Sequence, residues 1–513
     1  MNDNASNNRR IAKNAVFLYM RMLITIVVGL YTSRVILATL GVDDYGIYGV
    51  VGSIIAMAGF LNSSMAGATS RFITVELGSG DKDRLNRTFA SAFTIHLGIA
   101  LVVVVLAETV GLWFLNNKLV IPADRMTAAH WVYQFSILST AIGITQVPYN
   151  ACIIAHERMG VYAYVEIINS VLRLLIVYLL AIGNYDKLIL YGALSVTVSI
   201  IVLTIYRIYC HRQFPECRTT PTLDKELLKP MLTFSGWNLY NHICQTTHNN
   251  GLNILLNLFG GVVVNAAASV TTTVSSAISG LCSNTFNAMR PQIIKSYAQG
   301  DIGKMQSIHD KSVSFSIILL GAISIPLFFE IDYVLYLWLG NPPKFTATFC
   351  RVALITNIFF LAKNIINTII QATGNIKLMS LISSSFYIIC LPFVYIAFKH
   401  NSQPQWAYYL QLASFILATV ASISIAKKQV PSFCATKTII SFCSSILVLA
   451  LASMAVGVIH IYLDQSFFRL TACCLISVIA TATATYWLII NKQDRTAAIN
   501  FLKKHLPQKA NNR

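Results

Sequence analysis

Long apolar runs alternate with short polar connections along the whole chain. A membrane-crossing helix needs about 20 mostly apolar residues. Fourteen runs satisfy this, and they lie at 14–38, 46–77, 88–114, 130–155, 161–183, 187–210, 230–258, 262–289, 308–330, 347–373, 376–398, 404–427, 437–460 and 467–490. The pattern predicts an all-α polytopic membrane protein with about 14 transmembrane helices.

The composition agrees with a membrane protein and argues against several soluble domains. Of the 513 residues, 55% are hydrophobic and 11% are charged, whereas roughly a quarter of the residues in a soluble domain are charged. A net charge of +18 would suggest nucleic-acid binding in a soluble protein. Here the basic residues stand between apolar runs, so we expect the lipid bilayer, and no nucleic acid, as a partner.

The distribution of basic residues predicts the orientation of the chain, because cytoplasmic connections carry an excess of Lys and Arg. With the N-terminus inside, most of the 38 Lys and Arg residues lie in the two tails and the even-numbered connections. Six fall on the opposite side of the membrane, and they are Lys118, Arg125, Lys187, Lys344, Lys399 and Arg469. Both termini are therefore predicted to be cytoplasmic.

The two halves of the chain contain weak but ordered sequence similarities. The segment "LGVDDYGIYGVV" (40–51) aligns with "FGGVVVNAAASV" (259–270), and at the same spacing Arg71 aligns with Arg290. Gly80-Asp81 then meets Gly300-Asp301, and "IIAHERMGVY" lies opposite "IQATGNIKLM". Transporters often contain internal repeats of this kind.

The repeat predicts two six-helix lobes in the same membrane orientation, followed by two C-terminal helices. The predicted parts are an N-terminal lobe (1–210), a cytoplasmic interlobe linker (211–229), a C-terminal lobe (230–427), two extra helices (428–490) and a basic cytoplasmic tail (491–513).

Amide side chains recur every three or four residues along one face of the seventh span. They are Asn238, Asn241, Gln245, Asn249, Asn253 and Asn257. Hydrogen bonding between packed helices explains any one of them. A ladder of this length favours the wall of a hydrated cavity for a polar substrate such as a sugar, and we predict that the first five bind substrate.

Charged residues within spans are expensive and mark functional sites. Arg173 in the fifth span and Lys363 in the tenth are predicted to line the cavity. Arg21 and Arg34 in the first span could instead extend to a membrane surface. In the repeat, however, Arg34 aligns with Asn253, which favours an inward position.

Four further charged residues are candidates for contact with substrate or with ions. Arg71 and Arg290 lie at the cytoplasmic boundary, where they either reflect topology or contact a lipid phosphate at the cavity mouth. Glu108 is either a proton relay or a residue near the outer surface. Glu166 lies on the helical face of Arg173 and is a second candidate for proton or ion coupling.

No motif predicts an enzyme, a cofactor or a metal site. The 11 cysteines are scattered without a CxxC pair. Cys210, His211 and Cys217 could be metal ligands, but their spacing matches no standard site. The sequence contains no nucleotide-binding loop, no HExxH motif and no nucleophile constellation.

Several features together resemble a known superfamily. They are the six-plus-six-plus-two repeat, the basic N-terminus before a span ending "SRVILATLGVDDYGIYGV", and the turn "QATGNIKLM". They are similar to the multidrug/oligosaccharidyl-lipid/polysaccharide exporter superfamily, and most of all to its bacterial polysaccharide, or O-antigen-type, flippases.

The resemblance implies two lobes around a central cavity and transport by alternating access. The implied substrate is a polyprenyl-diphosphate-linked oligosaccharide, which moves from the inner to the outer leaflet of the bacterial inner membrane. Cationic cavity residues would recognise this anion, and other polysaccharide-assembly proteins are expected partners.

Three alternatives remain. A sibling branch exports cationic drugs and uses an acid in the first lobe, but the first span here contains only Arg21 and Arg34. A flippase of the peptidoglycan lipid precursor would also carry an anionic substrate. A membrane glycosyltransferase or polysaccharide polymerase could use Asp43 and Asp44, although the outer connections are short for such an enzyme.

Overall fold

A computed structural model describes residues 59–117, 121–180, 185–220, 222 and 224–489. In and after the first span it also describes residues 14, 16–29, 31, 32, 35, 36, 39, 40, 44, 47, 48 and 51. Among these residues every regular element is a helix, which confirms the predicted all-α class.

The helices follow the predicted order. They are α1 (Val16–Gly29), α2 (Gly59–Ser79), α3 (Lys82–Leu106), α4 (Leu112–Asn117), α5 (Met126–Ala155), α6 (Met159–Leu179), α7 (Lys187–Gln213), α8 (Lys225–Ala298), α9 (Ile302–Leu339), α10 (Thr346–Thr373), α11 (Lys377–Lys399), α12 (Trp406–Gln429), α13 (Ala435–Tyr462) and α14 (Phe467–Leu488). A π-helical turn, Ala107–Gly111, joins α3 to α4, and short 3-10 turns cover Ala123–Arg125 and Pro215–Arg218.

Ten helical stretches within the described residues are long and apolar enough to cross a membrane. They coincide with predicted spans three to six and nine to fourteen. Large apolar side chains on their outer faces stay exposed, for example Leu101 at 65% and Val478 at 57%. Such surfaces would promote aggregation in water but are suited to contact with lipid.

The longest helix, α8, contains both predicted spans 230–258 and 262–289. It breaks at Gly261, whose φ of 73° and ψ of −173° lie outside the helical region. A residue with a Cβ would be strained in this conformation, so glycine is needed here. The predicted connection between the two spans is therefore a sharp kink.

The two copies of the sequence repeat share one local structure. Gly80 and Gly300 follow α2 and α8 with φ of 80° and 75°. After each glycine, Asp81 or Asp301 caps the next helix, and its carboxylate accepts a bond of 2.9 Å from the backbone N–H three residues later. These aspartates satisfy helix N–H groups that would otherwise lack a partner. The alignment of Gly80-Asp81 with Gly300-Asp301 thus holds in three dimensions.

Packing divides the chain into two compact units. The first unit contains residues 1–244, 287–305 and 368–381, and the second contains 245–286, 306–367 and 382–513. In the first unit α5 packs against α2, α3 and α7. In the second unit α13 packs against α12 and α14. The predicted lobe boundaries rest on the sequence repeat rather than on packing, and they stay a prediction.

An ion cluster in the first unit joins three separate chain segments. Arg125 forms two bonds to the Asp44 carboxylate, of 2.8 and 2.5 Å, and a bond of 2.6 Å to Asp186. Asp186 also caps α7 by accepting from the N–H groups of Leu188 and Ile189. Burial raises the pKa of the Asp186 carboxyl, but the hydrogen bonds from Arg125 and from the backbone outweigh it, and the net pKa is lowered.

We predict that Arg125→Gln lowers the unfolding free energy by about 1 kcal/mol at neutral pH, because two partly exposed ion pairs are lost. A lowered folded-state pKa stabilises the fold above the ordinary value of 3.8, and this contribution is lost as the pH falls through the folded-state pKa. The difference in melting temperature between wild type and variant should therefore shrink in acid.

The matched control is Arg351→Gln. Arg351 pairs with one carboxylate, Asp332, which is 62% exposed, so its loss should cost less. Melting temperatures in detergent across a pH series measure both effects. Equal costs for the two variants, or a difference independent of pH, would contradict the account of the Arg125 cluster.

Candidate functional site

The C-terminal end of α10 is closed by a buried arginine from α2. Arg71 donates from Nε to the backbone oxygen of Gln371 at 3.1 Å and from Nη2 to that of Ala372 at 2.9 Å. The last carbonyls of a helix lack partners within the helix and carry its partial negative charge. The Arg71 guanidinium supplies these carbonyls with hydrogen-bond donors and with a positive charge.

Two aromatic rings lie close to the Arg71 guanidinium. Its central carbon lies 4.6 Å from the ring centroid of Phe72 and 5.8 Å from that of Phe234 on α8. Cation–π attraction of this kind stabilises a desolvated cation without neutralising it. Arg71 is 8% exposed; the groups that contact its guanidinium are neutral, and the Glu76 carboxylate acts on its charge through space.

The second arginine of the sequence repeat reaches the same residue. Arg290, on α8, donates from Nη2 to the Gln371 side-chain oxygen at 2.8 Å. The two repeat-related arginines thus share Gln371, one through its backbone and the other through its amide. The sequence alignment predicted that these arginines are equivalent but did not reveal their common partner.

A cavity of about 490 Å³ lies beside Arg71 within the first unit. Its lining residues are Arg71, Phe72, Lys229, Pro230, Thr233, Phe234, Trp237, Thr373, Gly374, Asn375, Ile376 and Lys377. Three of these side chains are cationic and none is acidic. A cavity lined by one sign of charge concentrates ions of the opposite sign.

The N-terminal end of α11 adds to the positive character of this cavity. Asn375 and Ile376 come directly before the helix, and Lys377 is its first residue. The first N–H groups of a helix carry partial positive charge and favour anions such as phosphate. The cavity therefore combines a helix N-terminus with three full positive charges.

The sequence analysis predicted Arg71 for this region but missed Lys229, Lys377 and Trp237. Lys377 belongs to the "QATGNIKLM" segment, which indicates the repeat and the superfamily but not a binding residue. Its ammonium lies 6.0 Å from the Trp237 ring centroid. Similar spacing in the two halves of the chain does not tell which side chains face a cavity, so these residues could be found only in the structure.

Two of the other predicted arginines, Arg21 and Arg173, have partners within the first unit. Arg21 donates to the Tyr162 hydroxyl at 3.1 Å and lies over its ring. Arg173 is exposed and donates to Asn169 one turn earlier on α6, at 3.2 Å. Arg34 lies outside the residues that the structure describes.

The predicted amide stripe lies along α8 before the Gly261 kink and is divided between the two units. In the first unit, Asn238 donates to the Ser64 backbone oxygen at 3.5 Å, and Asn241 donates to the Ser380 hydroxyl at 3.4 Å. In the second unit, Gln245 and Asn253 are half-buried and Asn249 is exposed. Their role in binding substrate stays a prediction.

Lys363 lies in the second unit and is 5% exposed. Its ammonium contacts the Tyr387 hydroxyl and lies 5.7 Å from the Phe360 ring centroid. Like Arg71, it is a buried basic residue whose direct contacts are polar and aromatic neutral groups.

The two predicted acids each accept one hydrogen bond. Gln134 donates to Glu108 at 3.1 Å, at the π-helical turn, and Tyr206 donates to Glu166 at 3.1 Å. The sequence analysis missed Glu330, a fully buried acid near the end of α9. It pairs with Arg469 at 2.8 Å and with His460 at 2.7 Å.

Comparison with known proteins identifies the fold. No known family model and no curated protein sequence matches the chain. A crystal structure of MATE in the bent conformation superimposes with a TM-score of 0.71 at 12% identity, covering 84% of this chain and 97% of that one. This chain therefore has the fold of MATE transporters.

Two further solved structures have the same fold. One is an outward-facing multidrug resistance MATE family transporter of the MOP superfamily, with a TM-score of 0.66, 12% identity, and coverage of 86% and 96%. The other is a MOP superfamily transporter from Pyrococcus furiosus, described as having reversed polarity of its binding pocket, with a TM-score of 0.67 and the same identity and coverage.

We predict that Gly374→Ala is more costly than a substitution of an ordinary left-handed glycine. Gly374 has φ of +85°, and a Cβ there would lie 2.7 Å from Nη2 of Arg71. The Arg71 guanidinium cannot move without losing its bonds to α10. Gly300 has a similar φ of +75° but open space around it, so Gly300→Ala should cost only about 1–2 kcal/mol for the backbone strain.

A double-mutant cycle isolates the clash. In an Arg71→Ala background, the cost of Gly374→Ala should fall to that of Gly300→Ala. Apparent melting temperatures of the purified variants in detergent provide the measurement. The described position of Arg71 is wrong if Gly374→Ala costs the same with and without the arginine.

Proposed function

We propose that this protein is a transporter that moves a polyprenyl-diphosphate-linked oligosaccharide from the cytoplasmic to the outer leaflet of the bacterial inner membrane. The product would serve the assembly of a surface polysaccharide or O-antigen. The observation that carries the proposal is the cavity lined by Arg71, Lys229 and Lys377 without an acid, in a chain with the fold of MATE transporters.

The charge of the cavity suits a diphosphate. Arginine and lysine both bind phosphate oxygens by charge-assisted hydrogen bonds. With the predicted orientation, the connection between α10 and α11 lies at the cytoplasmic side, where the lipid-linked sugar is made. The diphosphate would enter there between Lys229, Lys377 and the N-terminal end of α11.

The glycan would extend along the face of α8 that continues from the cavity. Phe234, Trp237, Asn238 and Asn241 fall at positions i, i+3, i+4 and i+7 of the helix and therefore share this face. Trp237 offers a flat apolar surface, and the amides offer donors and acceptors to sugar hydroxyls. The polyprenyl tail would stay in the bilayer.

Substrate binding would also weaken the contact between Arg71 and α10. A phosphate oxygen is a stronger acceptor for a guanidinium than a neutral backbone carbonyl. When a phosphate takes these donors, the last carbonyls of α10 lose their partner. Binding at the cavity would thus favour a rearrangement of the α10–α11 connection, as alternating access requires.

The alternative functions fit the structure less well. A cationic drug would be repelled by three positive side chains. In a glycosyltransferase or polymerase, an acid in the first outer loop would need to be available, but Asp44 is bound by Arg125. A peptidoglycan lipid precursor carries the same diphosphate, and only its accumulation can separate it from a surface-polysaccharide unit.

We predict that Lys229→Ala with Lys377→Ala reduces surface polysaccharide several-fold at native expression and causes the lipid-linked repeat unit to accumulate on the cytoplasmic face. The reason is loss of two of the three charges that attract the diphosphate. The control is Lys399→Ala, because Lys377 and Lys399 are the first and last residues of the same helix. It should leave surface polysaccharide unchanged.

Analysis of lipid extracts from a deletion strain distinguishes the alternatives. Accumulation of complete, inward-facing repeat units supports the proposal. Accumulation of peptidoglycan precursors would identify the other lipid substrate, and outward-facing unpolymerised units would indicate a polymerase. Normal polysaccharide in the double lysine variant would overturn the role of the cavity.

A further inference from the structure

A second cluster of reactive side chains lies in the first unit, at the end of α5. Cys152 and His156 are four residues apart and therefore share one helical face. The connection after α7 brings Glu216 and Cys217 against them. The sulfur of Cys152, Nε2 of His156 and a carboxylate oxygen of Glu216 all lie within 4.8 Å of one another.

We propose that Cys152, His156, Glu216 and Cys217 bind one zinc ion. Two thiolates, an imidazole and a carboxylate form a four-ligand set typical of zinc. Thiolate and imidazole ligands favour zinc over the magnesium or calcium that oxygen-only sites select. Binding would release the two thiol protons, so that the two positive charges of the ion replace them and the net charge of the cluster stays at −1.

Two distances between donor atoms already match a tetrahedral site, and the Cys217 side chain would have to turn inward to complete it, because its sulfur lies outside the group of three atoms that fall within 4.8 Å of one another. Two thiolates at about 2.3 Å from zinc lie about 3.8 Å apart in a tetrahedron, and the sulfurs of Cys152 and Cys217 are 3.6 Å apart. A sulfur and a carboxylate oxygen would be about 3.5 Å apart, and Cys152 and Glu216 are at 3.3 Å.

One pair must separate when the ion enters. The His156 nitrogen and the Glu216 oxygen are 2.6 Å apart, as in a hydrogen bond, whereas two ligands of one zinc would be about 3.3 Å apart. A small rotation of the Glu216 side chain provides this difference. The ring of His156 is already oriented, because it stacks on Phe214 with centroids 4.1 Å apart.

The buried acid supports a cationic ligand. Glu216 is 3% exposed, and the partners that the structure gives its carboxylate are His156 and the Cys152 thiol. A carboxylate buried without a full positive charge is costly. A zinc ion bound to the carboxylate would lower that cost by placing a full positive charge directly against it, whereas His156 supplies one only when it is protonated.

The sequence analysis had considered Cys210, His211 and Cys217 as ligands. In the structure Cys217 lies between Cys210 and Cys152, and Cys152 is more than 60 positions earlier, at the end of another helix. His211 contributes its backbone oxygen to Arg218. The i,i+4 spacing of Cys152 and His156 was visible in the sequence, but its partners were not.

Zinc would link the end of α5 to the connection between α7 and α8. The 3-10 turn Pro215–Arg218 carries Glu216 and Cys217. Further along, Asp224 is held by Arg87 at 3.2 Å and by the Ser91 hydroxyl at 3.1 Å. The connection would thus be fixed at two points before α8 begins, and its exposed Arg218 lies directly after a zinc ligand.

The test uses the full-length protein in detergent, purified without a histidine tag and freed of metal by a chelator. One equivalent of Zn²⁺ should bind per chain, raise the melting temperature by several degrees and slow tryptic cleavage after Arg218 several-fold. Co²⁺ in place of Zn²⁺ should give thiolate charge-transfer absorption. Variants Cys152→Ser and Cys217→Ser should lose these effects, and Glu216→Gln should weaken Co²⁺ binding at least about tenfold.

The matched control is Cys244→Ser, which removes a buried thiol from the same unit and should bind zinc normally. The proposal fails if the wild-type protein binds no more zinc than the Cys152→Ser, Cys217→Ser double variant, or if that double variant still binds one equivalent. Detection of a Cys152–Cys217 disulfide in protein extracted from cell membranes would also overturn it, in favour of a redox pair. These readouts do not depend on what the protein transports.

Discussion

The contact between Arg71 and the last carbonyls of α10 is the interaction on which the candidate site depends. A helix that ends away from water must find donors for its final carbonyl groups, and here one guanidinium supplies two of them. Its position in turn requires glycine at 374, because any side chain would meet Nη2. The direction in which the chain enters α11, and therefore the wall of the cavity, follows from this contact.

The same contact explains why a buried positive charge can be stable and still be available to a ligand. Two carbonyls and two aromatic rings lower the cost of burying the Arg71 cation, but none of them carries an opposite charge. Because Lys229 and Lys377 line the same space, the three charges act together. The residues that line the cavity include these three basic side chains and no acid, and the proposal of an anionic substrate rests on this feature.

Hydropathy and the repeat were sufficient to predict most of the fold. Ten predicted spans coincide with apolar helices, and the paired turns at Gly80-Asp81 and Gly300-Asp301 have the same geometry, because glycine and a capping aspartate act locally. The site required more information. Arg71 and Gln371 are 300 positions apart, and Cys152 and Glu216 are 64 apart. Nothing in a single sequence tells which distant segments pack together, so the partners of individually suspicious residues could not be predicted.

Buried charges in this protein differ in how they are compensated, and this difference separates structural from functional residues. Glu330 is paired with Arg469 and His460, so its negative charge is compensated and attracts a ligand only weakly. Removing one member would leave the others buried and unpaired, which is destabilising. The groups in direct contact with Arg71 and Lys363 are neutral, so among the described residues no carboxylate pairs with them as Glu330 pairs with Arg469. We therefore assign Glu330 to the stability of the helix packing, whereas the part of Arg71 and Lys363 in recognition stays a proposal.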